Sequence, residues 1–301
     1  MTLLAFQGAV ELGLVYSLVA LGLFVSFRVL GVADLTVDGS FTLGAAVTAV
    51  YAANGQPLTG MALALLAGAG AGFITAQLQT RCGVQPILSG IVTMTALYSI
   101  NIRVMGGRSN IPLLGKTTLF TYFEQWAGPE LYRLAALLLC VAVVALVLIL
   151  FLATPLGLSV RATGDNPDMV SSSSINPAFT KTVGLCIANA TVALSGSLLA
   201  QYQQSTDISM GIGTVVIGLA SLIIGEVLLG QRSIPLHVAA VVAGAAIYRI
   251  IIAFALRAAI SPSDLKLVSA LIVAAAISYP AVRERIAFHR LRKAGEQDAD
   301  R

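Results

Sequence analysis

Residues 131–154 read LYRLAALLLCVAVVALVLILFLAT, with Arg133 as the one charged side chain. A hydrocarbon core about 30 Å thick is crossed by roughly 20 helical residues, so this stretch is long enough to span a bilayer. The rest of the chain has the same character: 57% of its 301 residues are hydrophobic and 11% charged, and the mean hydropathy is +0.89. A soluble domain carries about 25% charged residues, so water is not the main solvent of this chain. Strands of about 10 residues alternating apolar and polar side chains, the mark of a spanning β-barrel, are absent. The expected fold is therefore all-α: a polytopic integral membrane protein.

Apolar runs between breakers place spans at 3–26, 39–53, 59–79, 84–105, 131–154, 180–203, 211–230, 234–257 and 265–280. That is about nine transmembrane helices, in a range of roughly 8–10, with a broken second helix near 29–40. Short cytoplasmic loops collect Lys and Arg. The densest basic cluster is Arg283, Arg285, Arg290, Arg292 and Lys293, which places the C-terminus in the cytoplasm. Counting back through the spans puts Arg232, the loop with Arg161 and Lys181, Arg81 and Arg28 on that side. The N-terminus and the mixed-charge loop 106–130 then lie outside. The hydrophilic stretches 106–130, 155–179 and 281–301 are too short to bury cores of their own. The chain thus reads as one membrane domain, 1–282, carrying the polar loop 155–179, and a basic tail, 283–301, suited to anchor topology or to lie on anionic lipid headgroups.

Cys82, Cys140 and Cys186 stand far apart, and His237 and His289 have no ligand-type neighbours in sequence, so neither a metal site nor a disulfide framework is expected. No basic n-region precedes the first apolar run, and Glu11 interrupts it, so Met1 is expected to begin an uncleaved helix. Basic and aromatic residues do not interleave as they do on nucleic-acid surfaces.

The most informative segment is the polar loop: TPLGLSVRATGDNPDM over 154–169, then Ser171–Ser174 and Ile175-Asn176-Pro177. It opens on a Pro-Gly break. Asp165 or Asn166 is placed to cap a short helix beginning at Pro167, since their oxygens accept unpaired backbone N–H groups and Pro suits the first helical position. Two readings fit, a docking helix at the membrane surface and a plain solvated connector.

The pattern Leu156-Gly157, Arg161-Ala162, Gly164, Asn166-Pro167, followed by Ile175-Asn176-Pro177, resembles the cytoplasmic coupling loop of permeases of the branched-chain amino acid and ribose ABC transporter family. SFRVLGVADLTVDGSF over 26–41, IVTMTALYSIN over 91–101 and IIGEVLLG over 223–230 are similar to a subgroup described as tryptophan/tyrosine-type transport permeases. The resemblance spans most of the chain. It implies a bacterial inner-membrane importer subunit in which Arg161, Gly164, Asp165, Asn166 and Pro167 contact a separate ATPase. The implied partners are a second permease copy, two ATP-binding cassette subunits holding ATP and Mg, and an extracytoplasmic solute-binding protein. This chain would itself carry no cofactor and no catalytic residue.

Charged groups at membrane depth face a cavity, a partner or the bundle interior. Asp34 and Asp38 stand four apart where Gly31 and Gly39 interrupt an apolar run. They fit either the translocation pathway or gate, or the capping of the broken helix. Glu11 and Asn101 are further pathway candidates, and Glu226 is expected to pair with Arg232 across one loop. Gly68 and Gly72 give the G-x-x-x-G spacing for close helix packing, within the subunit or at a dimer seam. Leu114-Gly115-Lys116-Thr117-Thr118 ends like a phosphate-binding loop, but Asn110 stands where the first Gly is required, so a contact surface for an external partner is the better reading. The rival function is an ion-coupled secondary transporter, which also needs intramembrane acids. A membrane enzyme lacks a metal or nucleophile constellation, and a scaffold has no need of buried acids.

Overall fold

A computed structural model describes residues 3–230, 232–257 and the single positions 267, 270, 271, 274 and 278. Among the described residues ten α-helices are delimited, in chain order: α1 Leu3–Leu23, α2 Thr36–Ala53, α3 Pro57–Thr80, α4 Pro86–Val104, α5 Leu119–Ala153, α6 Pro155–Asp165, α7 Pro167–Ser172, α8 Pro177–Gln203, α9 Thr214–Leu229 and α10 Ile234–Arg257. Strands β1 Asn110–Pro112 and β2 Ser205–Asp207 pair antiparallel as a small ribbon. The start sites follow from sequence: α3, α4, α6, α7 and α8 each begin at a proline, whose missing N–H costs nothing in a first turn.

Among the described residues six helices are long and apolar enough to cross a membrane: α1 with its extension (Leu4–Val29), α3, α4, Leu131–Ala153 of α5, α8, and Ile234–Leu256 of α10. α2 carries Thr36, Asp38, Ser40, Thr42 and Thr48 and is enclosed by α3, α4 and α8, so protein replaces lipid around its polar groups. α9 has 16 residues, about 24 Å at 1.5 Å per residue. Eight of the nine expected spans are therefore helices here. Of the ninth, 265–280, only positions 267, 270, 271, 274 and 278 are described, each helical, and the basic tail lies outside the described residues.

α8 is the central post. α1 runs antiparallel to it, with Gly8 against Tyr202 and Gly22 against Ala188, while α2 runs parallel, with Gly44 against Ala193. α1 ends in a π-helical turn, Phe24–Val29, and Gly31 at φ +66° turns the chain into an extended stretch before α2. The expected break therefore falls at the corner between α1 and α2. Beyond β2 the chain dips back into the bundle: Thr206 lies by Ala45, Gly211 by Thr42 and Asp38, and α9 starts from this interior point. Arg28, Arg161 and Arg232 meet at one end of the bundle, the grouping the charge count requires.

Two boundaries differ from the sequence reading. Residues 119–130 are helical, because Thr118 and Thr121 form a reciprocal capping box that starts α5 early. Pro155 and Gly157 begin a helix instead of interrupting one: Thr154 Oγ1 accepts from Gly157 N at 3.1 Å, and Gly157 packs on Phe151 and Leu152.

The G-x-x-x-G pair packs within the subunit. A Cβ at Gly72 would overlap the Leu185 carbonyl and one at Gly68 would meet Asn189 and Ala193, whereas Gly70 has open space. Gly72→Leu should therefore destabilise the detergent-solubilised chain by about 3 kcal/mol, the upper range for overpacking. Gly70→Leu should leave the thermal midpoint unchanged. Equal midpoints for the two variants would contradict this packing.

Candidate coupling and translocation sites

Three polar assemblies stand out, and each joins elements distant in sequence. The first fixes the corner between α1 and α2. Asp34, 2% exposed, accepts from Thr36 N at 2.9 Å and from Asn189 Nδ2 at 2.7 Å, and Ser40 Oγ donates to Asn189 Oδ1 at 2.7 Å. Both Asp34 oxygens are thus occupied by the start of α2 and by α8. Thr36–Thr75 at 2.8 Å and Thr48–Ser197 at 2.7 Å extend the same polar seam to α3 and α8.

The second assembly surrounds the interior start of α9. Asp38 Oδ2 accepts from Gly213 N at 2.9 Å, and Oδ1 accepts from Thr214 Oγ1 at 2.8 Å and Val215 N at 3.0 Å. The first N–H groups of a helix have no intrahelical partner and carry the positive end of its dipole. Asp38, reaching from α2, supplies both the acceptors and the opposite charge. Gly211 N donates to Thr42 Oγ1 at 3.1 Å beside it. Asn101, 1% exposed, donates through Nδ2 to Gly39 O at 3.3 Å, and its Oδ1 has no partner among the described residues. Glu11, 4% exposed, sits apart: Gln7 Nε2 donates to it at 3.0 Å and the Tyr202 hydroxyl at 2.9 Å. The four pathway candidates of the sequence thus divide. Asp38 ties α2 to the start of α9, Asn101 ties α4 to α2 at Gly39, Asp34 holds the corner, and Glu11 holds α1 to α8.

The third assembly lies at the basic end. α7 is capped by Asn166, whose Oδ1 accepts from Asp168 N and Met169 N, both at 3.1 Å. Asp165, the other candidate cap, instead ends α6. Residues 165–169 are exposed, and Leu158, Met169 and Phe179 present apolar side chains 53%, 57% and 56% exposed beside them. The inner side of this loop is pinned to the bundle. Gly164 lies so close to Val29 O and Leu30 Cα that a Cβ would overlap them, and Thr163 Oγ1 meets Thr180 Oγ1 at 2.7 Å. A push on α6 therefore reaches the feet of α1 and α8 without a flexible intermediate.

Beside α6 lies a cavity of about 390 Å³ lined by Phe24, Arg28, Arg161, Asp165, Arg232 and His237. Glu226 on α9 is paired, but with Arg28 Nε at 3.0 Å and His237 Nε2 at 2.7 Å in place of Arg232. The π-helical turn brings Arg28 to Glu226, while Gly230 at φ +75° directs the chain away before Arg232. Sequence reasoning passed over His237 and Asn189, whose partners are far along the chain. The one available signal was an amide within an apolar helix. Lys116 follows Gly115, which is at φ +73° in a turn preceding α5, with no helix start at the Gly-Lys-Thr itself.

Membrane helices around polar interior stations, with a capped surface loop fixed to two helix feet, define a helical membrane transport subunit. Residues 6–277 match the model of the branched-chain amino acid transport system permease component family, and the chain belongs to that family. It is 39% identical over 263 residues to a tyrosine transport system permease protein of Clostridioides difficile (strain R20291), covering 87% of this chain and 86% of that one. An uncharacterized protein of Rickettsia prowazekii (strain Madrid E) is 30% identical over 276 residues, covering 90% and 95%. The fold is that of an ABC transporter seen in an inward-facing conformation and described as of metal-chelate type, with TM-score 0.53 at 15% identity over 93% of this chain and 85% of that one.

Proposed function

We propose that this chain is the membrane-spanning permease of a bacterial ABC importer for an aromatic amino acid of the tyrosine kind. The observation that carries the coupling is the loop 155–179, exposed at Asp165–Met169 and seated through Gly164 on Val29 and Leu30. Two copies form the pathway in the inner membrane, with the basic end and the tail in the cytoplasm. Two ATP-binding cassette subunits, which hold ATP and Mg, dock on Arg161, Gly164, Asp165, Asn166 and Pro167. A solute-binding protein delivers substrate at the opposite end, near the β1–β2 ribbon. ATP-driven closure moves α6 and with it the feet of α1 and α8, favouring one access state over the other. The substrate follows the name of the 39% identical relative.

The geometry weighs against an ion-coupled carrier. Glu11, Asp34 and Asp38 each have both carboxylate oxygens engaged in hydrogen bonds, and each reaches at least one partner on another element: Tyr202, Asn189 and the start of α9 respectively. In proteoliposomes holding the full complex, uptake of labelled L-tyrosine should require ATP and the binding protein and persist with a protonophore. Uptake by this chain alone, abolished by the protonophore, would establish the carrier instead.

A further inference from the structure

α10 carries a cation, Arg249, that belongs to none of the three polar assemblies. Arg249 lies 15 residues after Ile234, about 22 Å along the helix at 1.5 Å per residue, and 7 before Leu256, where the span ends. It is therefore at membrane depth, where a charge is expensive and faces a cavity, a partner or a solute path. Among the described residues no carboxylate pairs with it, and its buried Nε has no hydrogen-bond partner. The interior acids are committed elsewhere, Asp38 to α9 and Glu11 to Gln7 and Tyr202. The guanidinium rests on an aromatic face, its Cζ 3.7 Å from the Tyr16 ring centroid. Tyr16 in turn stacks with Phe41, centroids 6.0 Å apart at 18°, and Phe41 is one turn beyond Asp38. Arg249 thus stands over the ring of Tyr16, which packs on Phe41 of α2.

We infer that Arg249 binds the carboxylate of the transported solute during its passage, with Tyr16 holding the guanidinium in place while no solute is bound. An arginine with no carboxylate partner among the described residues offers a planar fork of donors that matches a carboxylate in two parallel hydrogen bonds. A ring face keeps such a cation in place without occupying its in-plane donors. The ligand class is an α-amino acid presented carboxylate first. This assignment rests on the amino acid reading above and locates where in the membrane that substrate is held.

The test uses the complete transporter in proteoliposomes, with unaltered binding protein and ATPase, and reads KM and maximal rate for L-tyrosine uptake. Arg249→Gln should raise KM about thirtyfold, the expected consequence of losing a charge-assisted pair. Arg249→Lys, which keeps the charge without the fork, should fall between the variant and the wild type and guards against a merely misfolded Gln variant. An unchanged KM in Arg249→Gln overturns this inference and leaves the importer reading standing. Dissociation of the permease dimer in Arg249→Gln also overturns it, assigning the cation to the subunit seam. If the wild-type complex imports a different carboxylate and Arg249→Gln raises its KM, the tyrosine assignment falls and the role of Arg249 stands. Import of a solute with no carboxylate overturns both.

Discussion

Asp38→Ala is expected to lower the stability of the permease by about 4 kcal/mol and to cut transport at least tenfold, because it strands three donors at once. Gly213 N, Thr214 Oγ1 and Val215 N all end on this carboxylate, and Thr214 is 1% exposed, so water cannot readily replace it. Each unsatisfied buried donor costs about 1–3 kcal/mol, and the helix dipole loses its counter-charge as well. Asp38→Asn keeps one acceptor oxygen and should fall between wild type and Ala. The readouts are the thermal midpoint in detergent and uptake in proteoliposomes. Asp38→Ala with a wild-type midpoint would show that α9 does not depend on this cap. A wild-type midpoint with lost transport would move Asp38 from structural cap to pathway.

Gly164→Leu is expected to separate ATP hydrolysis from transport, lowering the solute moved per ATP at least tenfold, equivalent to about 1.4 kcal/mol of lost coupling. The glycine is required by approach distance, not by dihedral freedom: a side chain there runs into Val29 O and Leu30 Cα. α6 would be lifted from the foot of α1 while residues 165–169 stay exposed and able to dock. Hydrolysis in the complex should therefore continue as uptake falls. Gly164→Ala should show a smaller loss of the same kind. Full coupling in Gly164→Leu would refute the path from α6 to α1.

What the sequence disclosed follows from the range of the forces involved. The apolar run of residues 131–154 announced a span because lipid is the solvent and length is the criterion. The loop 155–179 could be found because Pro155, Pro167 and Pro177, with Asn166 and Asn176 before the last two, punctuate helix starts locally. The interior partnerships could not be read in the same way. Asp38 meets Val215 across 177 positions and Asn189 meets Asp34 across 155, so no local pattern reports them. Glu226 shows the limit most clearly: proximity in sequence pointed to Arg232, whereas the π-helical turn delivers Arg28. The glycine spacing at 68 and 72 signalled close packing, but its partner, α8, became evident only in three dimensions.

The central claim, a permease driven by a separate ATPase through residues 155–179, is tested most directly by purifying the tagged chain from its native membrane and identifying what stays bound. The account predicts an ATP-binding subunit in stoichiometric amount, with ATPase activity in the eluate, both lost when the exposed residues 165–167 are replaced. A homo-oligomer without any ATPase that still moves tyrosine in liposomes would contradict it.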